Sequence, residues 1–142
     1  MAIAVLFATA GYMAVAAAGA AALTTDQVSL MSTTTLRALN TVNTGALTTD
    51  QVAALSSTQL AAMSSAQIGA LNTNQVSAIE TGDIGALNTL SVRAFKTDAV
   101  GALTSDQVAA LTSTQLAIMT SVQTSAFNTE QVSAIETADV AA

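Results

Sequence analysis

The sequence predicts an all-α solenoid of very short capped helices, one per eight-residue repeat, preceded by an apolar N-terminal helix. Three observations lead there. An octad register runs unbroken over residues 23–142. A helix-start signature recurs inside almost every octad. The commonest residues, Ala, Leu, Gln and Met with Ser and Thr at fixed places, suit short helices better than strands.

The chain divides into an apolar segment, residues 1–22, and a repeat array, residues 23–142. Met1–Leu23 carries no charge, and its polar side chains are Thr9 and Tyr12 alone. Such a stretch is long enough to span a bilayer as a helix. It also suits a secretory signal with an apolar core at Ile3–Ala10 and small-residue cleavage patterns at Ala18-Gly19-Ala20 or Ala20-Ala21-Ala22. No Lys or Arg precedes it, since the first basic residue is Arg37. Its richness in Ala and Gly fits close helix contact in an assembly.

Each unit of the array opens on a bulky residue. These stand at Leu23, Met31, Leu39 and so on to Phe127 and Ile135, fifteen positions spaced by eight without a slip. Two residues later the side chain is Ser or Thr in all fifteen units. Five residues later it is Val, Leu or Ile in thirteen, Thr44 and Thr124 departing. Seven residues later it is Ala in thirteen, Leu30 and Ile118 departing. A fixed short period means a stack of equivalent units. A slower period overlies it: Gly45–Ala86 matches Gly101–Ala142 at 30 of 42 positions, an offset of 56 residues or seven octads.

One continuous helix cannot carry this pattern. Eight residues turn about 800° at 100° each, so the apolar columns would wander around the axis. The chain must bend once per octad, and the residues say where. Ser, Thr or Asn follows the bulky residue in twelve of fifteen units, and Gln stands three residues further on in nine. Ser/Thr-x-x-Gln is a capping box, in which each side chain serves the other's backbone amide. The bulky residue before the cap and the aliphatic residue five places on, such as Leu47 and Val52, form a hydrophobic staple. Three units lack the usual cap, at Glu80, Lys96 and Glu136, and there Thr81, Thr97 and Thr137 are the expected substitutes. A single octad buries too little to offset the entropy of ordering itself, so neighbours must share one core. Two or three octads per superhelical coil are expected. The rival architecture is a β-solenoid, favoured by Thr and Val, but the in/out alternation of a half-buried strand is missing.

Composition removes whole classes of chemistry. The chain has 3 Lys+Arg against 9 Asp+Glu, and no His, Cys, Pro or Trp. Thiol and disulfide chemistry, His/Cys metal sites and His-based triads are impossible. A net charge of −6 argues against nucleic acid as partner, because phosphate binding needs a cationic footprint. No catalytic, cofactor-binding or metal-binding residue is assigned, and the chain is expected not to be an enzyme. The acidic residues Asp26, Asp50, Glu80, Asp83, Asp98, Asp106, Glu130, Glu136 and Asp139 read mostly as first-turn charges that favour the helix dipole. Glu80 with Asp83 and Glu136 with Asp139 are the pairs closest to a carboxylate site, yet no loop of calcium-site spacing accompanies them. Arg37, Arg93 and Lys96 read as solvated positions or as ion-pair partners of a neighbouring coil. The regular Ser/Thr column reads as capping, with an ice-binding hydroxyl ladder as the sharper alternative. Phe95 and Phe127 stand in the bulky column and read as core.

The string Leu-Thr-Thr-Asp-Gln-Val-Ala-Ala-Leu at Leu47–Leu55, nearly repeated at Leu103–Leu111, resembles tandem octad arrays of large secreted or surface proteins of bacteria, often described as adhesin-like. The resemblance covers residues 23–142. The string also resembles the first helix of the repeats of transcription-activator-like effectors. Their unit is about four times longer, however, and its base-reading loop has no counterpart here. The first resemblance implies a structural or interaction protein at the cell surface or outside the cell: a spacer, an adhesin segment or a self-assembling component. Its expected partners are itself, end to end or laterally, or other surface proteins, with membrane contact only through residues 1–22. One alternative is a filament subunit that keeps its apolar N-terminal helix in the fibre core. Another is a ligand-binding module such as an ice binder.

Overall fold

The computed structural model describes residues 19–135, which form an unbroken succession of short helices and no strand. A 3-10 turn, Ala20–Ala22, comes first. It is followed by α1 (Thr25–Ser29), α2 (Thr33–Ala38), α3 (Thr41–Gly45), α4 (Thr49–Ala53) and α5 (Ser57–Ala62). Next come α6 (Ser65–Ala70), α7 (Thr73–Ser77), α8 (Thr81–Ile84), α9 (Thr89–Ala94) and α10 (Thr97–Gly101). The last are α11 (Ser105–Ala109), α12 (Ser113–Ala117), α13 (Ser121–Thr124) and α14 (Thr129–Ala134). There is one helix per octad, as the sequence predicts. The apolar helix expected over residues 1–22 lies outside the described residues apart from Ala20–Ala22, which already belong to the packed solenoid: the turn lies against α3.

The caps explain the boundaries. In twelve octads the residue after the bulky one is extended, and its side chain accepts from the amide three residues later. Nine of these are complete capping boxes, one for every Gln of the repeat. The uncapped starts correct one expectation. At Glu80 and Lys96 no side chain caps the helix, and Thr81 and Thr97 are the first helical residues rather than substitute caps. In α10 the Asp98 carboxylate accepts from the Ala99 amide instead, at 2.9 Å. Thr137 lies outside the described residues.

The helices that pack on each other are three octads apart: α1 with α4, α3 with α6, α6 with α9, α7 with α10, α11 with α14. One coil is therefore three octads. The helices stack in three columns: α1, α4, α7, α10 and α13; α2, α5, α8, α11 and α14; α3, α6, α9 and α12. As far as Leu111 the bulky and aliphatic positions of the octads turn to the shared axis, and one continuous core runs from Ala20 to Leu111; Val132, in the aliphatic position of the last described octad, is exposed. Thr44, in an aliphatic position, is also buried there; its hydroxyl donates to the Asn40 carbonyl at 2.9 Å, so it leaves no unmet polar group. Beyond Leu111 the column residues Leu116, Met119, Phe127 and Ile135 are only partly buried, because among the described residues no further coil covers them. The small residue before the last position of the octad follows from the coil spacing. A Cβ built on Gly69 would lie 3.0 Å from the Ala94 carbonyl oxygen, and one on Gly45 would lie 3.1 Å from that of Ala70.

Candidate functional surface and the glutamine clamp

Most of the buried polar residues among those described are glutamines. Eight of the nine, Gln51, Gln59, Gln67, Gln75, Gln107, Gln115, Gln123 and Gln131, are buried. Each Oε1 accepts from the backbone N–H of its own helix cap, at 2.8–3.0 Å in Gln51, Gln59, Gln67, Gln115, Gln123 and Gln131. Each Nε2 points the other way and donates to carbonyl oxygens of the preceding coil. Gln59 donates to Val28 at 2.9 Å and Met31 at 2.8 Å. Gln67 donates to Leu36 at 2.8 Å and Leu39 at 2.9 Å. Gln115 donates to Ile84 at 3.0 Å and Leu87 at 2.7 Å. Gln51 reaches Ala20 and Leu23 in the same manner. The acceptors lie 31 and 28 residues upstream in every case, at the carboxyl end of a helix one coil below.

This amide closes both ends of the helix problem at once. A helix start leaves free N–H groups and a helix end leaves free carbonyls. One side chain serves the start of its own helix and the end of another. Burial of a primary amide is tolerated only when its donors and acceptor are matched, and here they are. Sequence reasoning found the capping half of this role and missed the clamping half. The signal was present: of the fifteen equivalent positions nine carry Gln and none carries Glu, although Glu would complete a capping box equally well. Glu has no hydrogen to give to a carbonyl. Gln27 is the one glutamine whose Nε2 meets no carbonyl among the described residues.

The candidate residues flagged by sequence do not converge. Asp26, Asp50 and Asp98 lie on one column of helices, at the same octad position. Glu80, Asp83, Asp106 and Glu130 lie on the second. Glu136 and Asp139 are outside the described residues. Among the described residues no group of three or more acidic side chains is placed to hold a metal ion. Glu80 and Asp83 are close enough to interact: burial first, and then the charge of Glu80, raise the Asp83 carboxyl above its ordinary value of 3.8. Arg37, Arg93 and Lys96 are exposed, and no ion pair forms among the described residues. The cap hydroxyls are occupied by helix amides, and the remaining Ser/Thr column is divided among three faces. Phe95 is buried in the core, and Phe127 is partly buried against it.

The three columns differ as surfaces. Every acidic residue described lies on the first two. The third, formed by α3, α6, α9 and α12, has none; its single charge is Arg93. Along it Val42, Ala66 and Leu90 occupy the same octad position in successive coils, and Val42 and Leu90 are 77% and 70% exposed. No described helix is long and apolar enough to cross a membrane.

Fold and clamp together define a repeat solenoid, a scaffold whose units are completed only by their neighbours. The model of the ALTTAQ repeat matches in tandem over residues 20–57, 53–78 and 76–113. These matches span more than half of the chain, and the chain belongs to the ALTTAQ repeat family. The string of that description reads almost unchanged at Ala46–Gln51, with Asp50 in place of its last Ala, and it ends on a clamp glutamine. No curated protein and no solved structure gives a significant match.

Proposed function

We propose that this repeat scaffold works as a structural and interaction element of a secreted or cell-surface protein, as spacer, adhesin-like segment or self-assembling component, and not as an enzyme. The observation that carries the reading is the economy of the polar interior. The buried glutamines are each committed to holding one coil on the next, which supports a role in length and surface rather than turnover. Three faces of different character, two acidic and one uncharged but for Arg93, give such a scaffold distinct sides to offer a partner. The apolar, charge-free start of the chain supports export.

Two measurements test this. Intact mass of the natural protein should show loss of about 20 N-terminal residues, the length of a cleaved signal; a full-length chain inside the cell overturns the secreted reading. Sedimentation of the full chain over a wide concentration range should show association. A strict monomer at high concentration leaves self-assembly without support. A retained N-terminus combined with fibres favours the filament-subunit alternative.

A further inference from the structure

Between Gln51 and Gln131 the glutamine clamp is interrupted once, and the interruption is one coil long. Gln51, Gln59, Gln67 and Gln75 hold their coils to the ones below, and Gln107, Gln115, Gln123 and Gln131 do the same. Between these runs the three equivalent positions are Asp83, Ser91 and Ala99. By the same register their upstream acceptors would be the carbonyls of Leu55, Met63 and Leu71. Asp83 is ionisable and shorter, so it presents a carboxylate where a donor belongs. Ala99 has nothing to give. Ser91 is fully buried, and its Oγ has no hydrogen-bond partner. The polar contact that crosses this junction is Asn88 Nδ2 to the Ala61 carbonyl, at 3.5 Å. On its other side the same coil is held in full, because Gln115 and Gln123 clamp Ile84, Leu87, Val92 and Phe95.

We propose that the junction of α5, α6 and α7 with α8, α9 and α10 is a built-in seam, at which the solenoid opens first into two clamped segments. Apolar packing still closes it: Ile84, Val92 and Val100 are buried in the common core, and Gly69 meets Ala94 closely. What it lacks is the directional contact that the junctions on either side of it have three times per coil. Each such hydrogen bond adds a modest net stabilisation, and an orphan buried hydroxyl is a cost. Helices of one turn do not persist without tertiary packing, so opening the seam also exposes the amides that face it. The seam is a joint that yields under load or strain while the two segments stay folded.

Native-state hydrogen exchange on the full chain tests this, with peptide-level readout. Amides of residues 57–71 and 81–100 facing the seam should exchange at least about tenfold faster than those at the junction clamped by Gln107–Gln131. In the triple variant Asp83→Gln, Ser91→Gln, Ala99→Gln that difference should disappear. In Gln115→Ala a second fast junction should appear. Uniform exchange across all junctions in the wild type, or fastest exchange at a clamped junction, overturns the proposal. If the triple variant misfolds, Ser91→Ala serves instead: removal of the orphan hydroxyl should slow exchange at the seam and nowhere else, and no change there counts against it.

Discussion

A single atom distinguishes the glutamine of this repeat from the residue that would replace it most naturally. Gln115→Glu keeps Oε1 for the cap of Thr112 but turns Nε2 into an acceptor facing the Ile84 and Leu87 carbonyls. Gln115→Ala loses both roles and leaves fewer mismatched groups. At pH 7 Glu is expected to cost more than Ala, about 3 kcal/mol or above against about 1–3 kcal/mol, measured by urea unfolding. Below pH 4 protonation gives Glu a donor, and the order should narrow or reverse. Asp83 responds to protons in the same sense. Its carboxyl is raised in the folded state, by burial and then by Glu80, so between 3.8 and the raised value the folded chain holds more protons than the unfolded one. Stability falls as pH rises through that window, the penalty is complete above it, and it vanishes below the unfolded value. Asp83→Asn should therefore raise the melting temperature at pH 7, with the advantage fading as pH drops below 4. The capping role of Gln was legible in sequence because it is local, three residues from its partner. The clamping role was not, because its acceptors are backbone carbonyls 28 and 31 residues away, and a carbonyl leaves no mark on the identity of the residue that bears it.

The helices are four to six residues long, below what propensity can sustain alone. Each exists because a cap fixes its start and a staple pins it to the axis. Helix, bend and period were therefore readable from Thr48, Gln51, Leu47 and Val52 without knowledge of the rest. The departures were read less well: at Glu80 and Lys96 the neighbouring Thr is in the wrong place to accept from the free amides, since its backbone is already helical. The core makes a sharper forecast. Val76 is fully buried on α7, and Val76→Asp places an unpaired carboxylate in the axis shared with α4 and α10. A loss of several kcal/mol is expected, with helical circular dichroism lost beyond one octad's share. Asn74→Asp, on the exposed side of the same helix, is the control and should change the melting temperature little. Equal effects of the two would mean that α7 is not packed as described.

At the scale of the whole chain, two periods that do not divide each other decide the surface. The coil repeats every three octads and the duplicated block every seven, so a copied feature lands on a different side of the stack. Arg37 on α2 faces out of the second column, while its counterpart Arg93 on α9 faces out of the third. The block offset was visible in sequence, but the number of octads per coil was not: caps and staples specify a unit, and the contacts that set the turn, apolar packing and the glutamine reach to the coil below, join residues far apart in sequence. The third face is where association is most easily tested. Two copies of an acidic chain repel through their first two columns and can meet without that cost along Val42, Ala66 and Leu90. Leu90→Asp should weaken self-association by roughly tenfold or more if this face carries it, read by sedimentation equilibrium, whereas Thr58→Asp on the second column should not. An unchanged association constant assigns the contact elsewhere.

The clamp also has a direction, since every buried amide reaches toward the amino terminus. A ribosome delivers that end first. Each octad that emerges finds its acceptors already made one coil earlier, and none has to wait for residues not yet synthesised. The range of the decisive contact stays at 31 residues however many octads are appended, so the entropy of closing each coil does not grow with length. An array of this kind can lengthen by duplication over generations while every copy still folds at the pace of a single turn.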